Sequence, residues 1–180
     1  MSRSPIREAL ITLENEGLVV GRLNKAVTVR NPSADEIKQI YTIRAALEGI
    51  AARWAAEKAT LALVGHLRSN AETLNQHTIA IEDGGNLDAV APGIAFHMAI
   101  AEVAGSAELN VVLQNFNNKI QLVMRAGLAT LTRRRAEEVH KEHLAIIDAI
   151  EKRDADRAES LAVAHVRGAL DRIVYQSPSF

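Results

Sequence analysis

Three histidines fall late in this 180-residue chain, each inside an apolar run. His97 follows Phe96 in Ile94–Ile100, His143 opens the run to Ile150, and His165 lies within Leu161–Val166. An imidazole in such a setting is costly unless a partner satisfies it. Three of them brought together by packed helices would offer either three neutral nitrogen ligands to a divalent ion such as Zn²⁺ or the polar lining of a small-molecule pocket. The other histidines, His66, His77 and His140, sit among polar residues and are expected on exposed helix positions.

The elements that must position these side chains are helical. Hydrophobic residues make up 48% of the chain but aromatics only 3%, so the apolar content is mostly Ala, Leu, Ile and Val, which favours closely packed helices over a sandwich of sheets. There is no cysteine, which excludes disulfides, thiolate metal sites and a thiol nucleophile. No apolar run approaches the roughly 20 residues of a membrane span, and no signal peptide opens the chain, so a cytoplasmic location is expected. The net charge is −1, yet residues 1–30 hold five Lys or Arg against three Glu, an asymmetry that permits a nucleic-acid contact without demanding one.

Along the chain, Ser4-Pro5 reads as a helix start, Ile6, Leu10 and Leu13 keep helical spacing, and Gly17 ends the helix. Two short strands, 18–20 and 26–30, flank a turn at 21–25. After Asn31-Pro32, Ser33 and Glu36 form a capping box. Helices are then expected at about 34–57, 60–81, 87–104, 108–128, 133–151 and 154–174, with Pro92-Gly93 kinking or delaying the third. The predicted division is 1–30, a helix and hairpin in the order of the back half of a winged helix; 31–175, an all-α antiparallel bundle of six helices; and 176–180, a loose tail. Arg133-Arg134-Arg135 reads as a solvated charge run. Glu142, about 100° around the helix from His143, is a poor general base for a metal-bound water there.

Two segments carry a family resemblance. Ser2-Arg3-Ser4-Pro5-Ile6-Arg7-Glu8-Ala9-Leu10, followed by Leu13-Glu14-Asn15-Glu16-Gly17-Leu18-Val19, resembles the recognition-helix half of the winged helix-turn-helix of GntR-type transcription regulators. Arg44-Ala45-Ala46-Leu47-Glu48-Gly49-Ile50-Ala51-Ala52 resembles the opening of the FCD ligand domain of the FadR-like subgroup, and Phe96-His97, Glu142-His143 and His165 resemble its later signature. The resemblance implies a partial winged helix followed by an FCD-type helical bundle, and a ligand-responsive regulator, in most relatives a repressor, that acts as a homodimer on operator DNA and senses a small organic acid.

The resemblance also implies roles for particular residues. Arg3, Ser4 and Arg7 would lie at the front of the recognition helix, where arginines reach phosphates or guanine edges. Arg22 and Lys25 would be wing contacts at the hairpin turn. His97, His143 and His165 would hold the metal, and Arg44 and Arg125 would face the effector, although Arg44 can equally pair with Glu48 one turn later. Two departures matter. The family has two further helices before the recognition helix, so a start codon placed too late is expected, and without them Ile6, Leu10, Leu13 and Leu18 have little to pack on. Many members also use an Asp four residues before the first His; here that position is Gly93, and Asp88 has the wrong helical phase to replace it. A three-His site would bind metal more weakly, stay more positive, and favour an anionic effector. The rivals are a metal-free pocket in which the histidines meet the effector, a DNA-silent metabolite-binding dimer, and a three-His hydrolase.

Overall fold

The computed structural model describes residues 3–21, 26–82, 90–128 and 132–176. Helix α1 (Arg3–Asn15) leads into strands β1 (Val19–Val20) and β2 (Thr28–Val29), which pair antiparallel with Val19 opposite Val29. Six helices follow: α2 (Ala34–Lys58), α3 (Leu61–Glu82), α4 (Val90–Ala104), α5 (Ala107–Leu128), α6 (Arg133–Glu151) and α7 (Ala155–Gln176). All six expected bundle helices are present with boundaries within a few residues, the usual uncertainty of helix ends.

Local signals account for the ends. The Ser33–Glu36 box closes in both directions: Ser33 N donates to Glu36 Oε2 (2.9 Å), and Glu36 N donates to Ser33 Oγ (3.3 Å). At the end of α1, Gly17 takes φ +73°, with Leu18 N donating to Leu13 O and Gly17 N to Glu14 O, both at 2.9 Å. This is the Schellman arrangement, which satisfies the last carbonyls. Arg153 makes the same turn between α6 and α7 at φ 57° without being glycine, and its guanidinium donates to Ala59 O (2.9 Å). Ser4 does not cap α1 as expected, because the helix already includes Arg3. Pro92 is the third described residue of α4, which runs on through Gly93 to Ala104; the residues just before Val90 lie outside the described ones.

Helix α2 packs most extensively on α7 and also meets α4, α5 and α6. The α2–α7 pair is antiparallel: Arg53 bonds Asp156 (2.7 Å) and Glu159 (2.8 Å), while Tyr41 packs with Val166 and Ile173. Small residues set its closeness. A Cβ on Gly49 would lie 2.7 Å from Val163 Cγ2, and Ala51, Ala52, Ala55 and Ala56 are almost fully buried. The main core gathers these alanines with Leu67, Phe96, Ile100, Ile146, Ile147 and Ile150. By contrast, Ile6 and Ile11 of α1 are about half exposed, α1 packs on β1 and on no bundle helix among the described residues, and it is the turn after it that reaches α5, Asn118 Nδ2 donating to Glu16 Oε2 (3.0 Å).

The Gly49 contact makes a sign prediction. Helix propensity alone favours Ala over Gly by about 1 kcal/mol, but the collision with Val163 reverses this, and Gly49→Ala should cost about 1–2 kcal/mol net. Thermal melting followed by circular dichroism reads it. A melting temperature at or above the parent's would show that α7 yields, and Val163→Ala in the same chain should recover part of the loss.

Candidate functional site

Helices α4, α6 and α7 bring His97, His143 and His165 together, as their spacing predicts. One ring nitrogen from each lies within 4.8 Å of the other two, and Nε2 of His143 stands 3.3 Å from Nε2 of His165. Ring centroids are 4.6–5.5 Å apart. His143 and His165 are buried, and Phe96 closes the side of the cluster, its centroid 4.3 Å from that of His143.

Each of two histidines has its outer nitrogen on a carboxylate. His97 Nδ1 lies 2.8 Å from Glu48 Oε2, and the other oxygen of Glu48 accepts from Arg44 Nε at 2.6 Å. His165 Nδ1 lies 2.8 Å from Glu142 Oε2, and Glu142 Oε1 accepts from Arg135 Nη2 at 2.7 Å. An ionised carboxylate only accepts, so both imidazoles carry their proton on Nδ1 and leave an Nε2 lone pair for the centre. Burial pushes the Glu48 carboxyl up, but the Arg44 charge and the hydrogen bonds from His97 and Arg44 outweigh it and hold it well below the usual carboxylate range. Burial likewise raises Glu142, yet hydrogen bonds from His165 and Arg135 bring it down to about 2. Burial drives both His143 and His165 towards the neutral form, His165 to about 4, with neighbouring imidazoles adding to the effect.

This donor set fits a divalent ion. Bonds of 2.0–2.1 Å in a tetrahedral site place two nitrogen ligands about 3.4 Å apart, close to the 3.3 Å between His143 and His165. The Gly93 position is buried and offers no fourth ligand: a Cβ there would stand 2.9 Å from the Met124 methyl and 3.9 Å from Leu74. The methyl end of Met124 on α5 therefore closes on the space where a side chain at this position would begin.

Other expectations fare variously. Arg44 is buried and makes the ion pair with Glu48, and its guanidinium also lies 5.2 Å from the Tyr41 ring centre. Arg135 is not part of a solvated run: Arg133 and Arg134 are exposed, but Arg135 turns inward, 18% exposed, onto Glu138 and Glu142. Glu142 indeed avoids His143, but it serves His165 from the neighbouring helix. His140 is not a bland surface residue either, since its Nδ1 is buried without a partner among the described residues. Arg7 is exposed on α1. The side chains of Arg3, Ser4 and Arg125 lie outside the described residues, as do Arg22, Lys25 and Asp88 entirely. Sequence reasoning missed Glu48 and Glu142 as partners of histidines, because each is linked to its imidazole across helices; the signal available was a Glu one turn after Arg44 and another beside His143.

The FCD domain family matches residues 39–168. The chain belongs to the FCD-domain family. Its similarity to the Nta operon transcriptional regulator of Aminobacter aminovorans is 26% identity over 177 residues, 97% of this chain and 79% of the relative. The fold is shared with Escherichia coli McbR/YncC, at TM-score 0.82 and 19% identity over 98% of this chain and 82% of that one. It is also shared with a GntR transcriptional regulator from Rhodococcus sp. RHA1, at TM-score 0.76 and 24% identity over 97% and 81%. These findings agree with the recognition of an FCD-type GntR regulator made from Arg44–Ala52 and Ser2–Val19, and with the mainly helical fold. No described helix is long and apolar enough to cross a membrane.

The neutral histidines of the metal-free protein imply a pH dependence. The folded value of His165, about 4, lies below its ordinary 6.5, so the unfolded chain binds more protons between the two, and stability is lost as pH falls through that window. His165 alone contributes up to about 1.4 kcal/mol per pH unit there, His143 acts in the same direction, and Glu142 joins below about pH 4.5. Chemical denaturation of the metal-free protein at pH 7.5 and 5.5 checks this; equal midpoints would contradict buried neutral imidazoles.

Proposed function

We propose that this FCD-family chain is a ligand-responsive transcription regulator whose bundle senses a small organic acid at a divalent metal held by His97, His143 and His165, and whose α1 and hairpin meet operator DNA. The observation that carries the sensing part is the arrangement of the three imidazoles, two of them fixed in one tautomer by Glu48 and Glu142. A bound ion such as Zn²⁺ would supply Lewis-acid attraction for a carboxylate. With three neutral ligands and no anionic one at Gly93, the ion would keep its full positive charge, which favours an anionic ligand. Family membership and the regulators among its relatives support the link to transcription. Arg3 and Arg7 at the front of α1, with Arg22 and Lys25 at the hairpin turn, are the residues proposed for DNA, and a homodimer in the cytoplasm matches the two-fold operators such modules read. Effector binding would change the orientation of paired DNA-binding elements and so operator affinity.

A non-catalytic role is favoured by the carboxylates. A metal-dependent hydrolase needs a general base at the open coordination position, and Glu48 and Glu142 are instead held on the outer nitrogens, each also engaged by an arginine. A metal-free pocket is the second reading, favoured by the same 3.3 Å separation, which also suits a hydrogen bond between His143 and His165.

Metal analysis separates these two. The purified protein should carry close to one divalent ion per chain, and His143→Ala should lose most of it while retaining its helical circular dichroism. Equal metal in both proteins would sink the site. For DNA, a gel shift on the gene's own upstream region should be weakened by Arg3→Ala and Arg7→Ala, each by about 1–3 kcal/mol if it contacts a base. Absence of any shift with a chain that carries the two further helices the family resemblance implies would overturn the regulator reading in favour of a DNA-silent binder.

A further inference from the structure

The polar interior does not end at the imidazoles. One turn or two further along the same faces, towards the end of the bundle where α2 and α6 begin and α7 ends, lies a second layer made of Tyr41, Arg44, Arg135 and Arg172. Tyr41 and Arg44 precede Glu48 on α2, Arg135 precedes Glu142 by two turns on α6, and Arg172 follows His165 by two turns on the antiparallel α7. Residues seven apart on a helix share a face, so Arg172 and His165 look the same way.

The guanidinium of Arg172 is folded back along its own helix. A Cβ on Gly168 would stand 3.2 Å from Arg172 Nη1, so the bare glycine is what lets the head group lie over the turn between residue 172 and His165. That places it about one turn, roughly 4.5 Å along the axis, from the level of His165. The cations of this layer are unequally served. Arg44 is paired with Glu48, and Arg135 with Glu138 and Glu142. Arg172 is half-buried and has no hydrogen bond or ion pair among the described residues. Burial and the nearby Arg135 charge both disfavour its protonated form, and the carboxylates of Glu142 and Asp171 offset this only in part, which leaves room for a further anion.

We infer that Arg172, over Gly168 and beside Tyr41 and Arg135, is a second anion subsite of the effector pocket, so that the ligand is a short dicarboxylate: one carboxylate at the histidine centre and the other on the Arg172 guanidinium. One unpaired guanidinium accepts one carboxylate, in a bidentate fork if geometry allows. An axial offset of about one helical turn is the least separation the two subsites can have, so the acid needs a carboxylate at each end and a chain of at least about four or five carbons. This inference rests on the acid-sensing reading above and extends it.

Calorimetry on the zinc-loaded protein tests it with succinate and glutarate against their one-ended counterparts, butyrate and pentanoate. Glutarate should bind at least about tenfold tighter than pentanoate, the scale of one charge-assisted hydrogen bond. Arg172→Gln should erase that difference while leaving zinc content and pentanoate affinity unchanged. Gly168→Ala should also reduce it, by pushing the guanidinium aside, in a helix that loses no stability from the exchange. Monoacid binding reports on the underlying reading by itself. If monoacids bind and diacids bind no better, or if Arg172→Gln keeps the diacid preference, the second subsite falls and the acid sensor stands. If neither class binds the unaltered protein, both fall.

Discussion

Imidazoles packed between apolar helices must have their outward nitrogens satisfied, and here two carboxylates, buried Glu48 and half-buried Glu142, do so. Glu48 can be tolerated inside only because it is also engaged by an arginine, since a buried unpaired carboxylate would protonate or destabilise the bundle, and the half-buried Glu142 is held by Arg135 in the same way. The outcome is two chains of contacts, Arg44–Glu48–His97 and Arg135–Glu142–His165, that run through four helices. Removing any member leaves a charge or a ring nitrogen without its partner. The rest of the interior is organised around this requirement: α4 must meet α2, and α7 must meet α6, in this register for both chains to close.

The same groups hold the site and the bundle together, and this bears on how sensing reaches α1. Helix α2 carries Arg44 and Glu48 in its middle and Glu36 in its capping box. Arg30, at the end of the hairpin, pairs with Glu36 and donates to Gly17 O (3.5 Å), the residue that terminates α1. A single rigid helix therefore joins the polar centre to the junction with the N-terminal elements. A change in how α2 sits against α7, where the Gly49–Val163 contact leaves no slack, would be transmitted to that junction rather than absorbed locally.

Gly93 shows how chemistry and packing trade places. In the pattern this chain resembles, that position carries a carboxylate facing the metal. Here Met124 occupies the neighbouring space, so the centre is built from neutral nitrogen donors and its charge would be left for a ligand to balance. The carboxylates that remain near the centre are turned to the outer nitrogens, where they fix tautomers instead of binding an ion.

Much of this was legible beforehand. Helix periodicity, the Ser33–Glu36 box and the glycine at 17 located the elements, because these are local signals governed by backbone geometry. The histidine trio was legible as well, since three imidazoles in apolar helical runs have few inexpensive alternatives to meeting one another. The sequence alone did not say which way neighbouring side chains turn. Arg135 is indistinguishable in sequence from Arg133 and Arg134, yet it alone turns inward, because only its face of α6 meets α7. Glu142 looked idle beside His143 because its partner comes from another helix 23 residues away. Residue types and spacing thus determined that this protein would have helices, a capped bundle and three convergent nitrogen donors. The tertiary structure decided which carboxylates orient those donors and which arginines engage them, because those are contacts between helices, and their register is set by core packing that no local pattern encodes.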